Sequence, residues 1–239
     1  MGSTPLYKKI KEQIIHSLIA GEWQPGEMIP NEKQLAERFG VAISTIRAAI
    51  GELVASDVLS RKQGKGTFVT EHNSPNAYRY FNLYHSDGSK VSFYRQLIRS
   101  RKESPDDETI RLLRLDGPEA VFKLRTHIHS KNTIIAVADM TVSQRLFPEL
   151  DKNMGIEGDQ SLYAVFQSTY NINVVRIVEQ LAAAKAPAAI AKVLKLKAGE
   201  PLLQVRRTAF TFNNQPIELR TTWIHTKDYH YLVSRGDES

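Results

Sequence analysis

The chain has 239 residues, 41% of them hydrophobic, with a formal net charge of +6 and a pI near 9.4. That length suits one large or two small domains, and the absence of cysteine excludes disulfides, thiol catalysis and Cys-based zinc sites. No apolar run approaches the ~20 residues that span a bilayer, so no membrane partner is expected. The opening MGSTPLYKKI has no apolar signal core, and a cytoplasmic setting is expected.

In chain order, Pro5 sits where a first helical turn tolerates it, and Leu6, Ile10, Ile14 and Leu18 repeat every four residues. This predicts a helix with a core-facing stripe, ended by Gly21. After Trp23, Pro25 and Gly26, Asn31 is a candidate N-cap with Gln34 at the capping-box position. Leu35, Ala36 and Phe39 share one helical face, Gly40-Val41-Ala42 makes a turn, and Ile46, Ile50 and Leu53 mark a second helix. That is the arithmetic of a helix-turn-helix whose second helix fits the DNA major groove. Val58 to Arg61 and Thr67 to Val69 read as strands around Lys62-Gln63-Gly64-Lys65-Gly66, a basic hairpin whose lysines suit a phosphate backbone. Together these make a winged helix-turn-helix, and double-stranded DNA is the expected partner.

The first 70 residues resemble the GntR family of bacterial regulators, through Pro5-Leu6-Tyr7, Pro25-Gly26, Pro30, Glu32, Leu35-Ala36, Phe39-Gly40-Val41, Thr45-Ile46-Arg47 and Gly64 to Val69. The resemblance implies base or phosphate contacts for Lys33, Ser44, Thr45 and Arg47. It implies minor-groove or backbone contacts for Lys65 and Gly66, and Lys62 joins them on charge. Where the family has Ser-Arg this chain has Ala42-Ile43, so the helix loses its usual cap and a guanine reader, and a different operator is expected. Ser44 could cap a helix that starts slightly later.

Residues 71–80, polar and interrupted by Pro75, read as a linker between domains spanning 1–70 and 81–239. Beyond it, Ile110 to Leu115, Ala120 to His129 and Thr133 to Val142 read as strands, the second with Phe122, Leu124, Thr126 and Ile128 on one face and Lys123, Arg125, His127 and His129 on the other. Phe147-Pro148 opens a short helical stretch, Ser161 to Tyr170 is helical, and Asn173 to Ala184 alternates loosely as a strand. Pro187 to Leu194 is helical, and Leu202 to Phe212 pairs with Pro216 to His225 across Asn213-Asn214. Mixed elements with hairpins give an α+β domain with an antiparallel sheet.

This half resembles the UTRA domain of the HutC-like branch, whose fold is similar to chorismate lyase, through Arg125, Leu146-Phe147-Pro148, Ser161-Leu162-Tyr163, Pro201-Leu202-Leu203, Arg207, Pro216-Ile217-Glu218 and Tyr229. The resemblance implies an effector pocket using Arg125, His127, Ser161, Tyr163 and Glu218, with a polar or anionic metabolite as ligand. It also implies a homodimer on a palindromic operator. His127 and His129 share a strand face, but no third metal ligand is evident, and no cofactor is expected. The expected function is a sequence-specific transcriptional regulator, a repressor under ligand control. Two alternatives remain: an enzyme of lyase-like fold with an accessory DNA-binding domain, and a DNA-binding dimer that senses nothing. No G-x-S-x-G, P-loop or H-E-x-x-H motif supports the enzyme.

Overall fold

A computed structural model describes residues 5–56, 58–70, 83–117, 119–153, 157–158 and 162–232. The expected linker and Ser161 lie outside them. Helix α1 (Leu6–Ile19) buries Ile10, Ile14, Ile15 and Leu18. Leu6, expected in the same stripe, is 54% exposed, because the apolar cluster begins a turn later at Ile10. Helix α2 (Glu32–Phe39) starts at the expected capping box: the Asn31 side chain accepts from Gln34 N, and the Gln34 side chain from Asn31 N, both at 2.9 Å. It ends at Gly40, whose φ of +64° is the left-handed conformation that glycine reaches without a Cβ clash.

Helix α3 (Ile43–Ala55) begins at Ile43 with uncapped Ala42 in front, so Ser44 lies inside the helix and does not cap it. Strands β1 (Leu59–Lys62) and β2 (Gly66–Val69) pair antiparallel as the wing. Leu35, Ile46, Ile50 and Leu53 are fully buried, with Trp23 beside them, in the core that unites these elements.

The remaining elements are β3 (Leu83–His85), β4 (Tyr94–Glu103), α4 (Asp107–Leu113), β5 (Val121–Ser130), β6 (Thr133–Ser143), α5 (Leu150–Asn153), β7 (Glu157–Gly158), α6 (Leu162–Tyr170), β8 (Arg176–Lys185), α7 (Ala188–Leu194), β9 (Pro201–Phe210), β10 (Pro216–Ile224) and β11 (Tyr229–Tyr231). Seven strands form one antiparallel sheet in the order β7-β4-β5-β6-β10-β9-β8, and β11 pairs with β3 in a small second sheet. The run Ile110 to Leu115, read as a strand, lies largely in α4 and the turn after it. Asp106 accepts from Thr109 N at 2.7 Å, and Asp107 and Glu108 occupy the first turn, where carboxylates stabilise a helix.

Residues directly opposite in a ladder share a face, which defines two faces of the large sheet. Leu124, Met140, Arg220, Arg207 and Glu179 are successive partners across β5, β6, β10, β9 and β8 on the inner face. Arg125, Asp139, Thr221 and Arg206 are successive partners on the outer face. Helix α6 packs on the inner face through Phe166, Val165 and Tyr163 against Phe122, Leu124, Met140 and Val142. The β3–β11 sheet covers another part of that face around Ile128, Ala136, Val205 and Ile224. Helix α7 covers Val137 and Leu202 outside.

The N-terminal domain meets the second domain at Phe212. This residue, in a 3-10 turn between β9 and β10, is 7% exposed and belongs to the N-terminal apolar core, with Val175 packed beside it. Gln167 Nε2, on α6, donates to Thr70 O at 3.2 Å and also to Asn173 Oδ1. Arg176 holds the same turn from β8, donating to Asn214 Oδ1 and lying 3.7 Å from the centre of the Phe210 ring.

Candidate functional site

Ser44 and Arg47 are exposed on α3, Thr45 is half-buried, and Lys33 is exposed near the start of α2. All four lie on or beside the helix-turn-helix, so the expected contacts share one accessible region. At the wing tip Lys65 N donates to Lys62 O at 2.9 Å, and Lys62, Lys65 and Gly66 are exposed. Gly66 adopts φ +126°, and a Cβ there would come within 2.9 Å of Met28 Sδ. The backbone angle is what calls for glycine at the tip; the exposed Met28 side chain can swing away from a Cβ. Lys62 Nζ rests 4.4 Å from the centre of the Phe68 ring, which keeps the cation beside the wing.

Sequence reasoning did not find what ties helix and wing together. Glu32, at the start of α2, accepts from Arg47 Nε at 2.9 Å and Nη2 at 2.8 Å, and from Arg61 Nη2 of the wing at 3.4 Å. Its carboxylate pushes the Arg47 pKa up. Beyond the family match, nothing in the sequence set Glu32 apart from Glu27, Glu37 and Glu52; only the fold brings it to Arg47 and Arg61.

The second site lies between α6 and β11 on the inner face. Arg207 donates from Nε and Nη2 to Glu179 Oε1 at 2.8 and 2.6 Å, and from Nη1 to Tyr163 OH at 3.3 Å. Tyr231 OH donates to Glu179 Oε2 at 2.8 Å. Arg220 Nε donates to Glu218 Oε1, Arg220 Nη2 lies 3.7 Å from Met140 Sδ, and the guanidinium sits 5.6 Å from the Tyr163 ring centre. Arg207 and Arg220 are directly opposite across the ladder. Like charges there repel, and the two carboxylates offset this.

The side chains of Arg207 and Arg220 are 5% and 8% exposed, and that of Glu218 is fully buried. Burial raises the pKa of both Tyr163 and Tyr231, keeping their phenols neutral. Burial opposes the Arg207 charge, but the oxygens of Tyr163, Glu179, Tyr231 and Glu218 outweigh it and raise its pKa. Glu218 Oε2 is buried and has no hydrogen-bond partner among the described residues.

The structure brings Tyr163 and Glu218 together and leaves Arg125 and His127 elsewhere. Arg125 is on the outer face, donating from Nε and Nη2 to Asp139 at 2.6 Å each, which holds its pKa above the ordinary value. His127 follows two residues on. Burial, then His129 and Arg125, push its pKa down. The sheet itself separates these two side chains from Tyr163 and Glu218, so one small ligand does not touch both pairs. The sequence singled out neither Glu179 nor Tyr231; of the two arginines that could pair with Glu218 across the hairpin, Arg207 and Arg220, it is Arg220 that does, and Arg207 pairs with Glu179. Glu218 and Arg220, opposite charges two apart in an apolar strand, were the readable signal.

A model of the bacterial regulatory proteins of the gntR family matches residues 6–69, and a model of the UTRA domain matches residues 92–230. The chain is 28% identical over 242 residues to the HTH-type transcriptional repressor NagR of Bacillus subtilis, covering 98% of this chain and 91% of that one. It is 27% identical over 238 residues to the histidine utilization repressor of Pseudomonas putida, covering 98% and 93%. The crystal structure of PhnF from Mycobacterium smegmatis has the same fold, with a TM-score of 0.56 at 20% identity, covering 95% of this chain and 100% of that one. With a winged helix whose polar residues face outward and a buried polar site on a UTRA sheet, this chain belongs to the GntR family of transcriptional regulators, in the branch that carries a UTRA domain.

Proposed function

We propose that the chain works as a homodimeric repressor on a palindromic operator, released when a small polar effector enters the inner-face site of Tyr163, Glu218, Arg207, Glu179 and Tyr231. Two copies of α3 would then enter successive major grooves about 34 Å apart. The observation that carries this reading is the continuity of α6. The helix holds Tyr163 in the polar site and, one turn on, Gln167, which grips Thr70 O at the end of the winged helix. An effector that favours one setting of α6 would favour one placement of the DNA-binding domain, and it can shift that balance only through different affinity for the two.

Mobility of a labelled duplex from the DNA upstream of the chain's own coding region, with and without a metabolite panel, tests this. Retardation by the free protein and release by a metabolite are expected. No sequence-preferring retardation at any salt would discard the repressor.

Two substitutions test the DNA face. Arg47→Ala should weaken binding to all duplexes and lower the salt slope by about one unit, and an unchanged slope would take Arg47 off the phosphates. Glu32→Gln should act oppositely. It removes an anion from a phosphate-facing surface and frees Arg47 and Arg61. Non-specific affinity should rise and the slope should steepen by about one unit, while discrimination between operator and random duplex falls because the two arginines are no longer held in place. Unchanged discrimination would mean that Glu32 positions nothing.

A further inference from the structure

The two edges of the large sheet differ. Among the described residues, one edge is β7, two residues long, which leaves little backbone to pair. The other is β8, ten residues long, which pairs with β9 alone and has no bulge from Arg176 to Lys185. Gln180, Leu181, Ala182 and Ala183 are exposed in succession, and no charge falls within 180–184. An edge of this length and composition offers a row of N–H and C=O groups to another strand.

That edge is complementary to itself. A two-fold axis perpendicular to the sheet pairs two copies antiparallel and keeps each face on its own side. A residue then meets only one that lies an even number of positions away. With the axis at Ala182, Glu179 meets Lys185 of the partner subunit, and Lys185 meets the partner's Glu179. No other centre along β8 sets unlike charges opposite each other. Lys185 has no partner among the described residues, and the Glu179 side chain is 21% exposed, within reach of a second cation.

The same register places Leu181 opposite the partner's Ala183 on the inner face. Leu181 is 44% exposed. Beside Ala183 lies a cavity of about 590 Å³ lined by Leu181, Leu203, Tyr229 and Tyr231. A leucine set opposite Ala183 enters it, so each copy fills the other's hollow with a side chain that is otherwise left in water. The surface ion pairs add little affinity and fix the register, while the ladder and the leucines hold the copies together.

Resting on the homodimer reading above, we propose that two copies pair through β8, antiparallel about a two-fold axis at Ala182. The two seven-stranded sheets become one, and Leu181 of each copy occupies the cavity beside Ala183 of the other.

The chain has no cysteine, so single substitutions report self-contact without background. Residues directly opposite in an antiparallel pair have Cα atoms about 4.5–5.5 Å apart, within disulfide range. Full-length Gln180→Cys, Leu181→Cys, Ala182→Cys, Ala183→Cys and Ala184→Cys are oxidised with copper phenanthroline and separated on a non-reducing gel. Ala182→Cys should form the linked dimer at least about ten times faster than the other four, whose own copies lie beyond disulfide range in this register. Ala182→Lys sets two ammonium groups face to face at the axis and should weaken association at least about tenfold by sedimentation. Circular dichroism verifies its fold, and the cysteine series decides the matter even if it does not fold. Fastest linking at another position, equal linking at all five, or undiminished association of a folded Ala182→Lys would each overturn the proposal. Sedimentation of the unaltered chain separates the two readings. A monomer removes the homodimer and this inference with it, whereas a dimer with the wrong linking pattern removes only this inference.

Discussion

Phe212→Ala is expected to split thermal unfolding into two transitions while leaving each domain folded. The ring is 7% exposed and sits in the core built by α1, α2, α3 and the wing, although the residue belongs to the β9–β10 connection. Removing a buried phenylalanine ring costs about 3–5 kcal/mol. Here much of that loss falls on docking, because each domain keeps its own apolar cluster without it. Even 3 kcal/mol changes the ratio of docked to undocked chains by about two orders of magnitude. Among the described residues, Gln167 to Thr70 O and the packing of Val175 also join the domains, and neither replaces a buried aromatic ring. Calorimetry reads the result directly. A single transition at an unchanged temperature would show that Phe212 fills space without joining the domains. If coupling runs through this contact, the same variant should retard duplex DNA but lose its response to the releasing metabolite.

Much of the N-terminal architecture is local and therefore legible. Asn31 and Gln34 form their capping box within four residues, and the glycines of Gly64-Lys65-Gly66 specify the wing tip without help from elsewhere. The α3 start was misjudged because backbone bonding at Ala42, with Thr45 N donating to Ala42 O at 3.0 Å, suffices without a side-chain cap. In the second domain, β5 was legible because its alternation is clean. Strand β4 was not, because Arg95, Arg99, Arg101 and Lys102 break the alternation and a bulge falls between Leu97 and Arg99. The run around Ile110 misled because four apolar residues suit either element, and Asp106, the cap that decides, lies outside the run.

The proposed effector site shows a sharper limit. Alternation places Arg125 and Leu124 on opposite faces of β5, but nothing in the strand says which face α6 covers. That follows from register across β5, β6, β10, β9 and β8, set by contacts far apart in the chain. Arg125 and His127 are basic, alternate cleanly and look like a pocket wall from the sequence. The carboxylate that neutralises Arg125 is fourteen residues away on β6.

Arg207→Met should be the most damaging single change within the second domain, and its partner substitution should restore part of the loss. The Arg207 side chain is 5% exposed and its carboxylate partner Glu179 21% exposed. Without the guanidinium, Glu179 loses its cation, Tyr163 OH loses a donor, and Tyr231 is left holding an uncompensated carboxylate. Breaking one side of a buried pair costs about 3–5 kcal/mol, and partial exposure of Glu179 puts this case near the lower end. Glu179→Leu alone takes the carboxylate from Arg207, which keeps Tyr163 OH but faces Arg220 directly across the ladder. Replacing both removes the stranded charges together, so the double variant should be more stable than the sum of the single losses by at least about 1 kcal/mol. Denaturant titration of the four proteins gives that interaction energy. Additive losses would mean that Glu179 and Arg207 act independently and that the charge balance of the site is not what keeps it intact. The cycle also separates stability from sensing. The double variant should still retard duplex DNA, because neither residue lies near α3 or the wing, and under the proposed function its release by the effector should be lost.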